Sequence, residues 1–240
     1  MNIDPIKILN VLELYSYIIP LDVDRLLFLQ LVEKTKTVIK NVEGRNDNKI
    51  IVLEGLDGVG KSTILKNLLT ILISKAYDVK HLQTPHPDLS MFKDIFDSSK
   101  IKNLKGYFYL MSNILVDNDI GNYHHKVILM DRSWLSTYAY QTSNDMYFDR
   151  SQNMNHLHVK WPSFLIRPTH IILLNIDERT RIKRIEDRCY TNDEEELLKK
   201  NDTFRETITT IYKSMDGIIV VDNSKSIDVT ISYILKNIDM

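Results

Sequence analysis

Gly55-Leu56-Asp57-Gly58-Val59-Gly60-Lys61-Ser62-Thr63 is the stretch that decides how this chain folds. It spaces a glycine, four residues, a second glycine, a lysine and a serine, the pattern of a loop whose backbone N–H groups wrap a polyphosphate. Ile50-Ile51-Val52-Leu53 precedes it, an unbroken apolar and mostly β-branched run of the kind a buried parallel strand requires. After it, Ile64, Leu65, Leu68, Leu69, Leu72 and Ile73 recur at helical spacing across residues 61–74. Strand, glycine-rich loop and helix together aim several N–H groups and a helix N-terminus at one anion. The expected ligand is therefore a nucleoside polyphosphate, ATP with Mg2+, bound by Gly55, Asp57, Gly58, Val59, Gly60, Lys61, Ser62 and Thr63. Lys61 would reach the β and γ phosphates, and the Ser62 hydroxyl would hold the metal.

Asp57 is an unusual guest in such a loop, because a carboxylate beside a polyphosphate is repelled unless a cation or a sugar hydroxyl engages it. It points to a second ligand approaching the loop. Asp131-Arg132 directly follows another apolar run, Val127-Ile128-Leu129-Met130. The C-terminal ends of parallel strands line the ligand crevice, so this pair should face the phosphates. Arg132 suits bidentate phosphate binding, and Asp131 can hold an arginine or a Mg2+-bound water. Arg181, Arg184 and Arg188 recur at three and four residues and place three guanidiniums on one helical face. Charge of that kind, carried by a helix that ends in a lid, stabilises a migrating phosphoryl group.

The rest of the chain alternates strand and helix. Further strands are expected at 79–83, 127–130, 170–174 and 218–221. Helices are expected at 88–96, 102–119, 133–141, 178–188, 194–215 and 227–238, with a polar irregular insertion at 144–162. Five strands separated by helices imply an α/β, three-layer fold on a five-stranded parallel sheet. Residues 1–48 differ in kind. Asp4-Pro5 reads as a helix cap and first turn, and Leu27, Phe28, Leu31, Val32, Val38 and Ile39 give a second helix its apolar face. They predict an N-terminal helical hairpin over 4–18 and 24–42, closed by the polar linker 43–49, so that residues 1–48 form an extension and residues 49–240 the main domain.

Composition excludes several classes. The chain has 240 residues, a net charge of −1 and one cysteine, Cys189. Bulk charge forecasts neither a nucleic-acid nor a membrane partner, and a single cysteine fits a reducing compartment. Asp4, Glu13, Asp22 and Asp24 argue against a secretory or transit segment, so the cytoplasm is the expected location, with a mitochondrial one left open. His124, His125, His156, His158 and Cys189 show no metal-ligand spacing. The acidic run 193–196 suits the first turn of a helix. No Asn/Thr-Lys-x-Asp segment is present to read guanine, which disfavours a GTP switch.

The segments Glu54 to Thr63 and Asp131-Arg132-Ser133-Trp134-Leu135-Ser136-Thr137-Tyr138-Ala139-Tyr140-Gln141 resemble the signatures of thymidylate kinases, over about residues 49–239. Within that superfamily the likeness is closest to the mitochondrial-type UMP-CMP kinase, through Thr84-Pro85, Ile95-Phe96-Asp97, Phe108-Tyr109, Asn113, Trp161-Pro162, Arg167-Pro168 and Phe204-Arg205. The resemblance implies a P-loop nucleoside monophosphate kinase whose partner is a pyrimidine nucleoside monophosphate, and it admits a homodimer. It further implies that Arg132 binds the acceptor phosphate, that Asp57 contacts the acceptor sugar or that arginine, and that Tyr109, Thr137 and Gln141 lie near the base and Tyr140 near the sugar. Arg181, Arg184 and Arg188 would serve the lid and the ATP side, and Asn223 to Ser226 would approach adenine. Where thymidylate kinases usually offer an arginine to the base edge, this chain has Asn113. A neutral amide suits cytosine or uracil, so UMP, CMP and their deoxy forms are the expected acceptors, with dTMP or a deoxynucleoside as the alternatives.

Overall fold

The computed structural model describes residues 4–39, 47–148, 159–187 and 193–240. Arg188 with its expected lid role, Cys189, the histidines at 156 and 158, and most of the linker over 43–49 fall outside them. In chain order the elements are α1 (Pro5–Leu14), α2 (Asp22–Ile39), β1 (Lys49–Glu54), α3 (Lys61–Ser74), β2 (Val79–Gln83), α4 (Lys93–Asp97), α5 (Leu104–Gly121), β3 (Val127–Asp131), α6 (Trp134–Phe148), β4 (His170–Asn175), α7 (Glu178–Glu186), α8 (Asp193–Lys200), α9 (Asp202–Lys213), β5 (Ile218–Asp222) and α10 (Ile227–Asn237). The strands form a five-stranded parallel sheet in the order β2-β3-β1-β4-β5, with β1 paired to β3 and β4. The glycine-rich loop thus leaves the central strand, which is buried along almost its whole length.

Several expected boundaries move. The helix expected over 88–96 is a 3-10 helix at Pro87–Phe92 followed by α4, and the one expected over 4–18 is α1 followed by a 3-10 turn at Tyr15–Ile18. The expected helix over 133–141 runs on to Phe148, because the polar residues Asn144 and Asp145 continue it rather than opening a loop. The expected helix over 194–215 is two helices, broken at Asn201, whose side chain accepts from the Phe204 N–H at 2.9 Å and starts the second one.

The chain divides into two compact units. One comprises Lys49–His81, Lys126–Lys160 and Pro168–Met240. Side chains alternate across β1, so Ile51 and Leu53 enter a core with Ile64, Leu68 and Leu72 of α3 and Ile231 and Ile234 of α10. Each such side chain contributes about 1.5–3 kcal/mol when removed from water. Glu54 projects from the opposite face, where Ser136 of α6 meets it and α9 packs on α6 and β5. Helices on both faces of the sheet make this unit three-layered.

The other unit comprises Met1–Asn48, Leu82–His125 and Trp161–Arg167. Here α1 and α2 form the hairpin, opened by Asp4, whose carboxylate accepts from the N–H groups of Ile6 and Lys7 with Pro5 at the first helical position. Leu9, Leu12, Ile19, Phe28 and Val32 are fully buried, and they share a core with Phe92, Phe96, Leu104, Phe108, Met111 and Leu115. Among the described residues no helix is long and apolar enough to cross a membrane.

Candidate active site

The loop between β1 and α3 is shaped by glycines at the two points where neighbouring backbone comes closest. Gly55 has φ +136°, and a Cβ there would stand 2.6 Å from the Leu174 carbonyl oxygen of β4. Gly58 has φ +88°, and a Cβ would stand 2.9 Å from the Arg181 carbonyl oxygen of α7. Only glycine fits either position without strain. The second contact also explains why this loop carries no larger side chain at residue 58: α7 lies directly against it.

Lys61 opens α3 and is buried. Its Nζ donates to the carbonyls of Gly55 at 2.9 Å and Leu56 at 3.0 Å, and lies 3.8 Å from Asp57 Oδ1. Removal from water, with the Arg132 charge second, lowers its pKa to about 8; the carboxylates of Asp57, Asp131 and Glu54 oppose that fall. Ser62, one residue on, donates its hydroxyl to Asp131 Oδ2 at 3.2 Å. A hydroxyl and a carboxylate this close are hard oxygen donors of the kind that would suit Mg2+.

Arg132 stands at the end of β3 with φ +66°. Its Nη1 donates to Gly55 O and to Ser136 Oγ, both at 3.1 Å, and its Nη2 pairs with Asp57 Oδ1. The cation that Asp57 demands is therefore Arg132. The guanidinium also lies 5.6 Å from the centroid of the Tyr140 ring.

Beneath Arg132 is a buried polar network that sequence reasoning did not find. Glu54 is fully buried, and burial raises its pKa, although hydroxyl donation from Ser133 and Ser136 holds it down in part. Ser136 has one proton and gives it to Glu54, so the Tyr212 hydroxyl, 2.8 Å away, must donate to Ser136 Oγ, as Arg132 does. Burial and the Glu54 charge push the Tyr212 hydroxyl above its usual range, which keeps it a donor. Glu54, Ser133 and Ser136 were visible within signature segments. Tyr212 was not, because its position on α9 reads only as part of an apolar stripe.

The arginines of α7 divide. Arg181 is only 1% exposed; it grips Glu178 with two bonds, at 2.6 and 2.7 Å, and donates to the Asp57 carbonyl at 2.8 Å. It braces the loop from the protein side. Arg184 instead lines a cavity of about 390 Å³ together with Gly58, Gly60, Thr63, Asn223 and Lys225. Its guanidinium donates to Val59 O at 3.2 Å, and Asn223 Nδ2 donates to the same carbonyl at 2.7 Å. Thr137, Tyr140 and Gln141 share one side of α6, and Gln141 donates to Asp145. Tyr109 and Asn113 belong to α5 in the other unit; there Tyr109 donates to Asp97 and Asn113 Nδ2 donates to the Tyr109 carbonyl at 2.8 Å. One unit therefore gathers an anion-wrapping loop, Lys61, Arg132 and Arg184, with Ser62 and Asp131 side by side, a constellation suited to holding and moving a phosphoryl group.

Comparison with known proteins gives a consistent result. The family model described as "Thymidylate kinase" matches residues 53–234. A "Probable thymidylate kinase" of Methanosphaera stadtmanae is 27% identical over 189 residues, covering 75% of this chain and 91% of the relative. The "Thymidylate kinase" of Acholeplasma laidlawii is 27% identical over 204 residues, covering 78% of this chain and 97% of its own. Among solved structures, that of deoxyadenosine kinase from M. mycoides with bound dATP superposes with a TM-score of 0.53 at 21% identity, over 80% of this chain and all of the other, a likeness of fold.

Proposed function

The chain belongs to the thymidylate kinase family, and we propose that its acceptor is dTMP, phosphorylated at the expense of ATP. Family membership makes it an ATP-dependent nucleoside monophosphate kinase, a phosphotransferase. The base is our own reading, supported by relatives that carry the thymidylate kinase name across most of their length. The observation that carries the reaction class is the Arg132–Asp57 pair seated against the Gly55 carbonyl at the mouth of the loop. That pair supports the reading of Arg132 as the cation that meets a second, acceptor phosphate.

In this reading residues 49–240 carry the chemistry. The loop N–H groups and Lys61 hold the β and γ phosphates of ATP, while Arg184, Asn223 and Lys225 border the adenosine. Ser62 and Asp131 would hold Mg2+, which would supply charge neutralisation on the phosphates. Arg132, clamped by Asp57 and Ser136, presents the acceptor 5′-phosphate. An oxygen of that phosphate attacks the γ phosphorus in line, the bond from the γ phosphorus to the β–γ bridging oxygen breaks, and ADP and the nucleoside diphosphate result. Positioning and electrostatics carry the rate, with no covalent intermediate on the protein. Thr137 and Gln141 approach the base.

A second reading, UMP or CMP as acceptor, rests on Asn113 standing where an arginine is usual. Its amide is held in one orientation by the bond to the Tyr109 carbonyl, which removes the freedom to flip that would let it serve both uracil and cytosine. The test is ADP release from Mg-ATP with dTMP, dUMP, UMP, CMP and dCMP offered separately. We expect kcat/KM for dTMP to exceed that for dUMP by about tenfold or more, as one buried methyl allows. A preference for UMP or CMP would replace the first reading with the second.

A further inference from the structure

A trans peptide unit carries its C=O and N–H on opposite sides, so whatever grips the carbonyl also aims the N–H. In the glycine-rich loop the peptide units 57–58 and 59–60 are both trans, and both are gripped at the carbonyl. Arg181 Nη1 donates to the Asp57 carbonyl at 2.8 Å. Asn223 Nδ2 donates to the Val59 carbonyl at 2.7 Å, joined by Arg184 Nη1 at 3.2 Å. The N–H groups of Gly58 and Gly60 therefore point away from the side chains that hold those carbonyls. Among the described residues, neither N–H meets a protein acceptor.

Arg181 is itself held rigidly. It is 1% exposed, and its Nε and Nη2 donate to the two carboxylate oxygens of Glu178 at 2.6 and 2.7 Å, a bidentate pair that fixes the plane of the guanidinium. Glu178 Oε1 also pairs with Arg205 Nε at 3.2 Å. Arg205 Nη1 in turn donates to the Leu198 and Lys199 carbonyls, at 2.6 and 3.2 Å, in the last turn of α8. The grip on the Asp57 carbonyl is thus anchored in α7, α8 and α9 together. A cation so buried keeps its place only while its partners stay, which makes the arrangement stiff.

We propose that Arg181 is a positioning residue for the donor phosphates. It does not touch the nucleotide; it holds the Asp57–Gly58 peptide so that the Gly58 N–H is already aimed when the polyphosphate arrives. Asn223 does the same for Gly60. The proposal rests on the reading above that residues 55–63 hold the phosphates of ATP, and the experiment separates the two. A donor set in advance costs nothing to orient at binding. Without Arg181 the 57–58 peptide is free to turn, since glycine on one side of it resists little.

The test falls on Arg181, because Asn223 also borders the cavity. It uses the full chain in four variants: Arg181→Met, Arg181→Lys, Glu178→Gln and Lys61→Met. Calorimetry gives Kd for ATP and for tripolyphosphate, and the latter reports the loop without the base. The chain has seven glycines, so labelling them with nitrogen-15 resolves the Gly58 and Gly60 amides. Saturating tripolyphosphate should move both amide protons downfield in the parent. In Arg181→Met and Arg181→Lys the Gly58 displacement should vanish while that of Gly60 remains. Both Kd values should rise about tenfold, the low end of what a hydrogen bond to a charged group is worth. Glu178→Gln should fall between these and the parent.

Arg181→Lys keeps the charge but cannot hold Glu178 with two bonds and still reach the carbonyl. Parent affinity in that variant would assign the effect to charge and overturn the proposal. Folded Arg181 variants with parent affinity and the full Gly58 displacement overturn it too, as does loss of the Gly60 displacement along with that of Gly58. If Arg181→Met does not fold, Arg181→Lys and Glu178→Gln carry the decision. Should Lys61→Met weaken tripolyphosphate while the Arg181 variants do not, only the positioning role fails. Should Lys61→Met leave it unmoved, and the parent glycine signals stay still, the loop does not hold the phosphates and the proposal falls with that reading.

Discussion

Raising the pH through 8 should weaken ATP binding while strengthening the fold, because both depend on Lys61 and with opposite sign. Burial, then the Arg132 charge, lowers the pKa of Lys61 from the ordinary lysine value of 10.5 to about 8. The unfolded chain keeps the ordinary value, so between about pH 8 and 10.5 it binds more protons at this site than the folded chain does. Stability must then rise with pH across that window, by up to about 3 kcal/mol from this group alone. ATP binding runs the other way, since an ammonium pairs with the phosphates and a neutral amine does not. Each unit above 8 should cost about tenfold in affinity. Bound phosphate also restores the proton, so binding at about pH 8 should take up about half a proton. The terminal phosphate ionises near about pH 6 and contributes little in this range. Titration calorimetry of ATP in buffers of differing ionisation enthalpy reads both quantities, and Lys61→Arg should abolish the uptake, since arginine stays charged. An affinity flat to about pH 9, with no proton uptake at about pH 8, would refute the reasoning.

Two further outcomes follow from the loop and its support. Gly55→Ala places a Cβ 2.6 Å from the Leu174 carbonyl oxygen at φ +136°, so it should destabilise the fold by about 1–3 kcal/mol in denaturant titrations; an unchanged midpoint would mean that β4 yields there. Tyr212→Phe removes one donor to Ser136 while keeping the ring, so acceptor KM should rise about fivefold, or about 1 kcal/mol, with ATP KM unmoved. Steady-state kinetics with each substrate varied in turn would decide it, and an equal change in both KM values would count against a role confined to Arg132.

The strands and the first loop were legible because a buried parallel sheet writes itself as apolar runs. The run 50–53 lies inside β1, the helix read at 61–74 is α3, and 127–130, 170–174 and 218–221 lie inside β3, β4 and β5. Helix breaks were harder. Apolar periodicity continues across Asn201, and only the side-chain cap on Phe204 separates α8 from α9. The arginine face of α7 was visible, but its division was not. Arg181 turns inward because Glu178, one turn earlier, and the Asp57 carbonyl satisfy its guanidinium, facts that no spacing encodes. The network under Arg132 was hidden for a similar reason. Glu54 reads only as the first residue of a signature segment, and Tyr212 lies on another element far along the chain.

The hairpin also imposes an order of events at birth. Its buried face packs on α5, which is complete only at Gly121, roughly eighty residues after Ile39 and about 4–16 s later at ordinary rates of synthesis. Until then Leu9, Leu12, Phe28 and Val32 have been translated without the whole of the surface that covers them. A short two-helix segment is marginal alone, so the nascent chain carries an adhesive segment through that interval. Demand for chaperone help during translation is thus set by where the hairpin's partner is encoded.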